Sequence, residues 1–347
     1  MKRLTTIIAT TLISVACNSH LPEGTILCQE SKSEAITSSE ICKLGENIEY
    51  LTNIINFKII SDTTFIAMTA KQAYLYNMDG KQLCRVGRQG RARGEYLTPY
   101  SAETYNGQIF LGCINSRKII EYTMQGEFVR EYKLGNRCRV NNFSVCDKYI
   151  QLYGDMSSED NERYYLQSYD KESGKIVATM AQYSDVDIIF SNVMFADGYV
   201  GATDDEILIV SLSDLTLNRY THDGEEQLLD IDSPTFKVDC SVDYDKISAS
   251  SFELIGDYIE SNSIVTMASY DGDMLYIITT DRFSGSSFEN IEFERNLLIV
   301  DTKRGRGEYR AMEQVVSVFD RGYQLYNGDI YSLTTIAGEH YIRKINL

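Results

Sequence analysis

Four arginines, Arg85, Arg88, Arg91 and Arg93, crowd into one short stretch of a chain whose formal charge is −17. They alternate with Gly87, Gly90 and Gly94 and run into Glu95 and Tyr96. Guanidinium forks hold carboxylates and phosphates through paired N–H donors. Interleaved glycines permit turns that aim backbone N–H groups outward as an anion nest. The chemistry open to this loop is ligand binding, with Arg88, Arg91, Arg93, Glu95 and Tyr96 as the candidate residues. The glycine spacing is no dinucleotide fingerprint, and no Gly-Lys-Ser/Thr makes a Walker loop. The string from Arg91 to Tyr96 returns as Arg304-Gly305-Arg306-Gly307-Glu308-Tyr309. Either this is a recurrent loop pairing Arg with carboxylates or a ligand, or it is a structural turn. In the turn, the simpler reading, Glu95 caps backbone amides and Tyr96 packs between neighbouring units.

Other reactive groups are sparse. Only His20, His222 and His340 are present, so a His-based metal site is not expected. Asp155, Glu159, Asp160 and Glu162 cluster as a solvated hairpin tip would, and no EF-hand loop occurs. There is no G-x-S-x-G elbow. No catalytic residue, metal ligand or cofactor is assigned, and the expectation is against an enzyme. The acidic balance also opposes nucleic acid and anionic lipid surfaces.

Lys2 and Arg3 precede a short apolar stretch from Leu4 to Val15, too short to span a bilayer. Residues 1–16 are therefore read as an export signal. Ser14-Val15-Ala16-Cys17 resembles the lipobox of bacterial lipoproteins, which implies lipidation of Cys17 and cleavage before it. Residues 17–33 are read as the lipidated Cys and a polar tether. Membrane association would be through the lipid only, since each buried CH₂ of an acyl chain contributes about 0.8 kcal/mol. The other cysteines, Cys28, Cys42, Cys84, Cys113, Cys138, Cys146 and Cys240, show no C-x-x-C spacing and read mainly as buried hydrophobes. A bridge such as Cys28–Cys42 or Cys138–Cys146 stays open.

The elements that must carry the arginine loop recur along the chain. Turn-plus-strand units occur at SDTTFIAM (61–68), YNGQIFL (105–111), CDKYIQL (146–152), ADGYVGA (196–202), YDGDMLYI (270–277) and YNGDIYSL (326–333). Second turns fall at Gly80, Gly126, Gly174 and Gly224, spaced 46, 48 and 50 residues, with a looser one at Gly305. Such a period with several strands per unit predicts an all-β, six-bladed β-propeller over residues 34–347. Each unit reads as a turn, an inner strand, a third strand, the Gly turn and an outer strand. The last unit lacks an outer strand, and an exposed edge is a liability. The segment ITSSEICKL (36–44) is expected to complete it. The interval from Gly224 to Gly305 holds extra residues, placed in 233–265 and 281–295, with a helical turn or two in 248–261.

The segment VGRQGRARGEYLTPY (86–100), with Lys118-Ile119-Ile120-Glu121-Tyr122, resembles the NHL-like six-bladed propeller lipoproteins of Bacteroidetes. Gly87, Gln89, Gly90, Arg91, Gly94, Glu95 and Tyr96 match that family, whereas Ala92 and Arg93 stand where it has Gly-Pro. The resemblance implies a lipid-anchored cell-envelope propeller, and a monomer is expected. Because CNSHLPEG after the signal carries no strong acidic run of the sort linked to surface export, an outer-membrane anchor facing the periplasm is expected. As a binding or scaffold module the propeller would take a protein or small ligand. The alternative is a propeller hydrolase, lactonase or lyase assisted by calcium in the central channel.

Overall fold

Short runs rich in Ile, Tyr, Phe, Val and Thr, cut by Asn-Gly and Asp-Gly turns, cannot sustain helices and instead pair as strands. A computed structural model describes residues 24–32, 36–44, 54–113, 116–135, 138–157, 162–182, 199–211, 215–222, 224, 226–238, 262–284, 292–312, 322–336 and 339–347. Two strands, Thr25–Glu30 (β1) and Thr37–Leu44 (β2), precede the first blade. That blade is Ile54–Ser61 (β3), Thr64–Thr69 (β4), Ala73–Asn77 (β5) and Gln82–Val86 (β6). A linker with two short parallel strands, Arg88–Gln89 (β7) and Glu95–Tyr96 (β8), leads into the second. The second blade is Pro99–Tyr105 (β9), Gln108–Cys113 (β10), Lys118–Thr123 (β11) and Phe128–Lys133 (β12). The third is Cys138–Val145 (β13), Tyr149–Ser157 (β14), Arg163–Asp170 (β15) and Lys175–Gln182 (β16). The fourth is Tyr199–Ala202 (β17), Glu206–Val210 (β18), Thr216–Thr221 (β19) and Glu226–Asp232 (β20). The fifth is Ile264–Asp271 (β21), Met274–Ser284 (β22), Glu292–Asp301 (β23) and Arg306–Ala311 (β24). The sixth has Tyr323–Tyr326 (β25), Asp329–Ile336 (β26) and Glu339–Asn346 (β27), with β2 as its outer strand.

The chain is thus an all-β, six-bladed propeller. The first strands of successive blades touch one another in a closed circuit, β3 to β9, β13, β17, β21, β25 and back to β3. Apolar side chains form six clusters, one at each joint between neighbouring blades. The joint between the first two blades holds the fully buried Tyr96 and Tyr122 with Ile66, Val86 and Leu111. Tyr74, Tyr76, Tyr132 and Tyr169 likewise serve joints.

Closure is as the missing strand demanded. β2 pairs antiparallel with β27 from Thr37 opposite Asn346 to Leu44 opposite His340. Its Cys42 and Leu44 enter the joint between the sixth and first blades.

The tether reading of 17–33 is corrected over its second half. β1 pairs parallel with β20 through Thr25–Leu27 and parallel with β24 through Cys28–Glu30. It straps the outer edges of the fourth and fifth blades, with Ile26 and Cys28 buried in that joint. Cys28 and Cys42 are free thiols in different joints, as Cys84, Cys113 and Cys146 are free, so no Cys28–Cys42 bridge forms. Burial pushes the Cys28 thiol up to about 12.

The unit phase is corrected too. The strand after the first turn is the second of its blade, and the innermost strand precedes that turn. In ADGYVGA the strand is β17, the innermost, so this unit is out of step with the other five. The Gly turns fall into two classes. The Gly80, Gly126 and Gly224 N–H groups donate three residues back, to Asn77, Thr123 and Thr221. Those of Gly174 and Gly305 donate four back, to Asp170 and Asp301, whose carboxylates also accept from the Ser173 and Arg304 N–H groups. An Asp therefore opens the turns at Gly174 and Gly305 alike. Part of the fifth-unit excess is the extended β22–β23 hairpin. Residues 239–261, with the helical turn expected at 248–261, lie outside the described residues.

The channel-side edge of the inner strands is capped by side chains. Asn56, Glu103 and Asn142 each accept from the N–H of the next residue, Phe57, Thr104 and Phe143. Gln324 of β25 accepts from Ile59 N–H at 2.7 Å and donates to Phe57 C=O at 2.8 Å. Gln324→Leu strands both groups of β3, and a stranded buried group costs about 1–3 kcal/mol. The expected result is a lower melting temperature by calorimetry with the fold retained. An unchanged melting temperature would contradict this role.

Candidate functional site

The linker from Gly87 to Tyr96 is built by its own hydrogen bonds. Gly90 N–H donates to Tyr96 C=O, and Ala92 N–H donates to the Glu95 carboxylate at 2.9 Å. Gly90 lies so close to that carboxylate that a Cβ would overlap it. Arg88 Nε meets the other Glu95 oxygen at 2.7 Å. The second blade pins the loop from outside. Gly94 N–H donates to Glu131, which also pairs with the buried Lys118 at 3.1 Å, and Tyr122 O–H donates to Gly94 C=O. Gly87 N–H donates to Gly126 C=O. The glycine amides are therefore committed internally, and the anion-nest reading of this loop is corrected.

Glu95 is held below the ordinary Glu value of 4.5, first by the Ala92 N–H and then by Arg88. Its depressed folded value means that its contribution is present above the unfolded value and lost as pH falls through the folded one. The Ala92 amide resonance is expected to titrate with a midpoint below 4.5. A midpoint at or above 4.5 overturns the assignment.

Side chains rather than amides make the site. A cleft of about 440 Å³ lies between the first and second blades, lined by Arg85, Arg88, Arg93, Glu95, Tyr122 and Phe128 with Gly87, Gly94 and Gly126. Arg93 lies over the Phe128 ring at 5.4 Å. Of the sequence candidates, Arg88, Arg93 and Glu95 come together here. Arg91 is exposed and outside the lining. Tyr96 is fully buried, donating to Val86 C=O at 2.9 Å and accepting from Ala73 N–H at 3.1 Å, so it locks the joint. Tyr122 and Phe128 were not legible as site residues, because they flank the next Gly turn and reach the cleft only through blade packing. The second copy of the motif is no equivalent loop. Its residues form the turn and outer strand β24, where Arg304 pairs with Asp301 and Arg310 with Glu308.

A second polar group sits on the inner strands. Lys58 of β3 pairs with Glu103 of β9 at 2.8 Å, both about a quarter exposed or less. Asn56 beside them donates to Tyr100 C=O at 3.0 Å. His222 contacts Ser168 and Thr203 C=O at the joint of the third and fourth blades, and His340 contacts Thr335. Among the described residues no three His, Cys, Asp or Glu side chains are grouped to hold a metal. Cys17, His20, Glu159 and Asp160 lie outside the described residues.

Residues 31–211, from β2 into the fourth blade, match the family model DUF5128, described as a 6-bladed beta-propeller. The chain belongs to that family. No curated protein matches it. Among solved structures, a chain named as an exported protein of Bacteroides fragilis NCTC 9343 is similar at TM-score 0.62 and 11% identity, over 93% of this chain and 99% of its own. A DUF4221 member from Bacteroides vulgatus ATCC 8482 is similar at TM-score 0.60 and 12% identity, over 91% and 99%. A virginiamycin B lyase from Staphylococcus aureus is similar at TM-score 0.45 and 13% identity, over 90% and 99%. The first two likenesses show the propeller fold alone. The expectation against an enzyme is corrected: solved structures named as lyases are among those similar to this chain, and one fold hosts binding proteins and enzymes alike. Nothing of that lyase's substrate passes to this DUF5128 member at such identity.

Proposed function

We propose that this DUF5128 propeller is exported, held in the cell envelope by lipid on Cys17, and takes an anionic small ligand in the cleft between its first two blades. One observation carries the binding site. In a chain of charge −17, three arginines against one glutamate line one cleft. Among the described residues only Arg88 of the three is ion-paired, which leaves Arg85 and Arg93 to meet a ligand. A hydrogen bond to a charged group contributes about 1.5–3 kcal/mol. Arg85→Ala with Arg93→Ala is therefore expected to weaken anion binding by about tenfold or more per arginine, measured by titration calorimetry. Equal affinity in the wild-type and double-variant chains would remove the cleft as the site. For the anchor, the Cys17→Ala chain is expected in the soluble fraction and unlabelled by radioactive palmitate. Labelling and membrane retention of that variant would refute lipidation.

A second reading, catalysis as a hydrolase, lactonase or lyase, is favoured by the Lys58–Glu103 pair on adjoining inner strands. A carboxylate can take a proton and an ammonium can stabilise developing negative charge. Screened against lactones and esters, the Glu103→Gln chain is expected to lose turnover without a change in melting temperature. Turnover preserved in that variant discards the pair as catalytic. Calcium assistance predicts a melting temperature lowered by chelator, and an unchanged value counts against it.

A further inference from the structure

We propose that the ligand of the inter-blade cleft is a phosphate monoester carrying a flat apolar group, an inference that rests on the anion-binding reading above. Charge comes first. Arg85, Arg88 and Arg93 against Glu95 leave two positive charges in excess at the cleft. A phosphate monoester carries about −1.5 to −2 at pH 7 and three strong acceptor oxygens.

The donors available point the same way. The N–H groups of Gly87, Gly90, Ala92 and Gly94 are already taken by Gly126, Tyr96, Glu95 and Glu131. The Tyr122 O–H is committed to Gly94 C=O. With those groups taken, the guanidinium forks of Arg85, Arg88 and Arg93 are the charged donors that face a ligand. Arg88 meets Glu95 through Nε, and its side chain is 68% exposed. Single exposed ion pairs are weak, so a lone carboxylate on one fork gains little. Three oxygens on one phosphorus engage two forks at once.

The apolar part is set by Phe128, which is 37% exposed at the cleft and carries Arg93 on its ring. A flat group can extend that stack.

Titration calorimetry of the full chain in detergent at low and physiological salt tests this with phenyl phosphate, methyl phosphate, inorganic phosphate, benzoate and succinate. Phenyl phosphate is expected to bind at least tenfold tighter than benzoate, several-fold tighter than methyl phosphate, and more weakly as salt rises. Phe128→Leu should erase the phenyl over methyl advantage while methyl phosphate affinity stays. Arg93→Ala should weaken all phosphates about tenfold. Arg85→Lys, which keeps charge and loses the fork, guards against a folding defect in Arg85→Ala and should also weaken them. Benzoate or succinate binding as tightly as phenyl phosphate overturns the phosphate assignment and leaves the anion site standing. Equal affinity for phenyl and methyl phosphate overturns the flat-group assignment. No anion binding to the wild-type chain overturns both readings.

Discussion

Removing residues 24–44 is expected to leave a chain with no cooperative thermal transition. β2 supplies the whole outer ladder of the sixth blade, and its loss bares the β27 edge. The same cut removes Leu44 and Cys42 from the joint between the sixth and first blades, and Ile26 and Cys28 from that between the fourth and fifth. Burial of an aliphatic side chain stabilises by about 1.5–3 kcal/mol. With Ile36 of the joint between the fifth and sixth blades, three aliphatic losses, two buried cysteines and an open edge approach the whole net stability of a typical domain, about 5–15 kcal/mol. Circular dichroism and sedimentation of the truncated chain decide it, with aggregation expected at the bared strand. A soluble, cooperatively melting truncation would show that closure is dispensable. The milder Leu44→Ala change should cost about 2–5 kcal/mol and retain the fold.

The second large effect is expected from one methyl group at Gly126. Its φ is +81°, and a Cβ there would overlap the carbonyl oxygen of Arg85 on the neighbouring blade. Left-handed backbone costs a non-glycine residue roughly 1–2 kcal/mol. The overlap with backbone adds more, since neither blade edge can yield without opening the joint. Gly126→Ala should therefore destabilise by about 3 kcal/mol or more and widen the cleft that Gly126 lines. Gly80 stands in the same relation to Lys43, whose carbonyl oxygen lies 2.5 Å from the built Cβ. Gly224, with φ +92° and nothing within 4 Å, supplies the control. Gly224→Ala should cost only about 1–2 kcal/mol, the backbone conformation alone. Equal losses for Gly126→Ala and Gly224→Ala, measured by denaturant unfolding, would refute the close-packing account.

Much of this architecture was legible because turn chemistry and strand alternation are local. Asn-Gly at 106–107 and 327–328 marks hairpins, and both Asn residues have positive φ as such tight turns require. The closing strand at 36–44 followed from simple counting, since one blade lacked its outer member. The strap at Thr25–Glu30 was not legible. Its residues alternate weakly, and its partners are strands roughly two hundred or more residues away with which it pairs in parallel. The arginine run was visible, yet its division of labour was not. Arg93 reaches a ring in the next blade, Arg88 turns back onto Glu95, and Arg91 is exposed outside the cleft lining.

Local sequence was enough for strands, turns, six repeats and the need for a closing segment, because each depends on neighbours along the chain. Tertiary structure alone decided which glycines touch a second blade and which side chains share a cleft. Those facts depend on how two sheets meet at a joint, and residues far apart in sequence set that meeting. The arginine loop shows both halves. Its composition announced positive charge, and only packing against Tyr122, Gly126 and Phe128 turned that charge into a site.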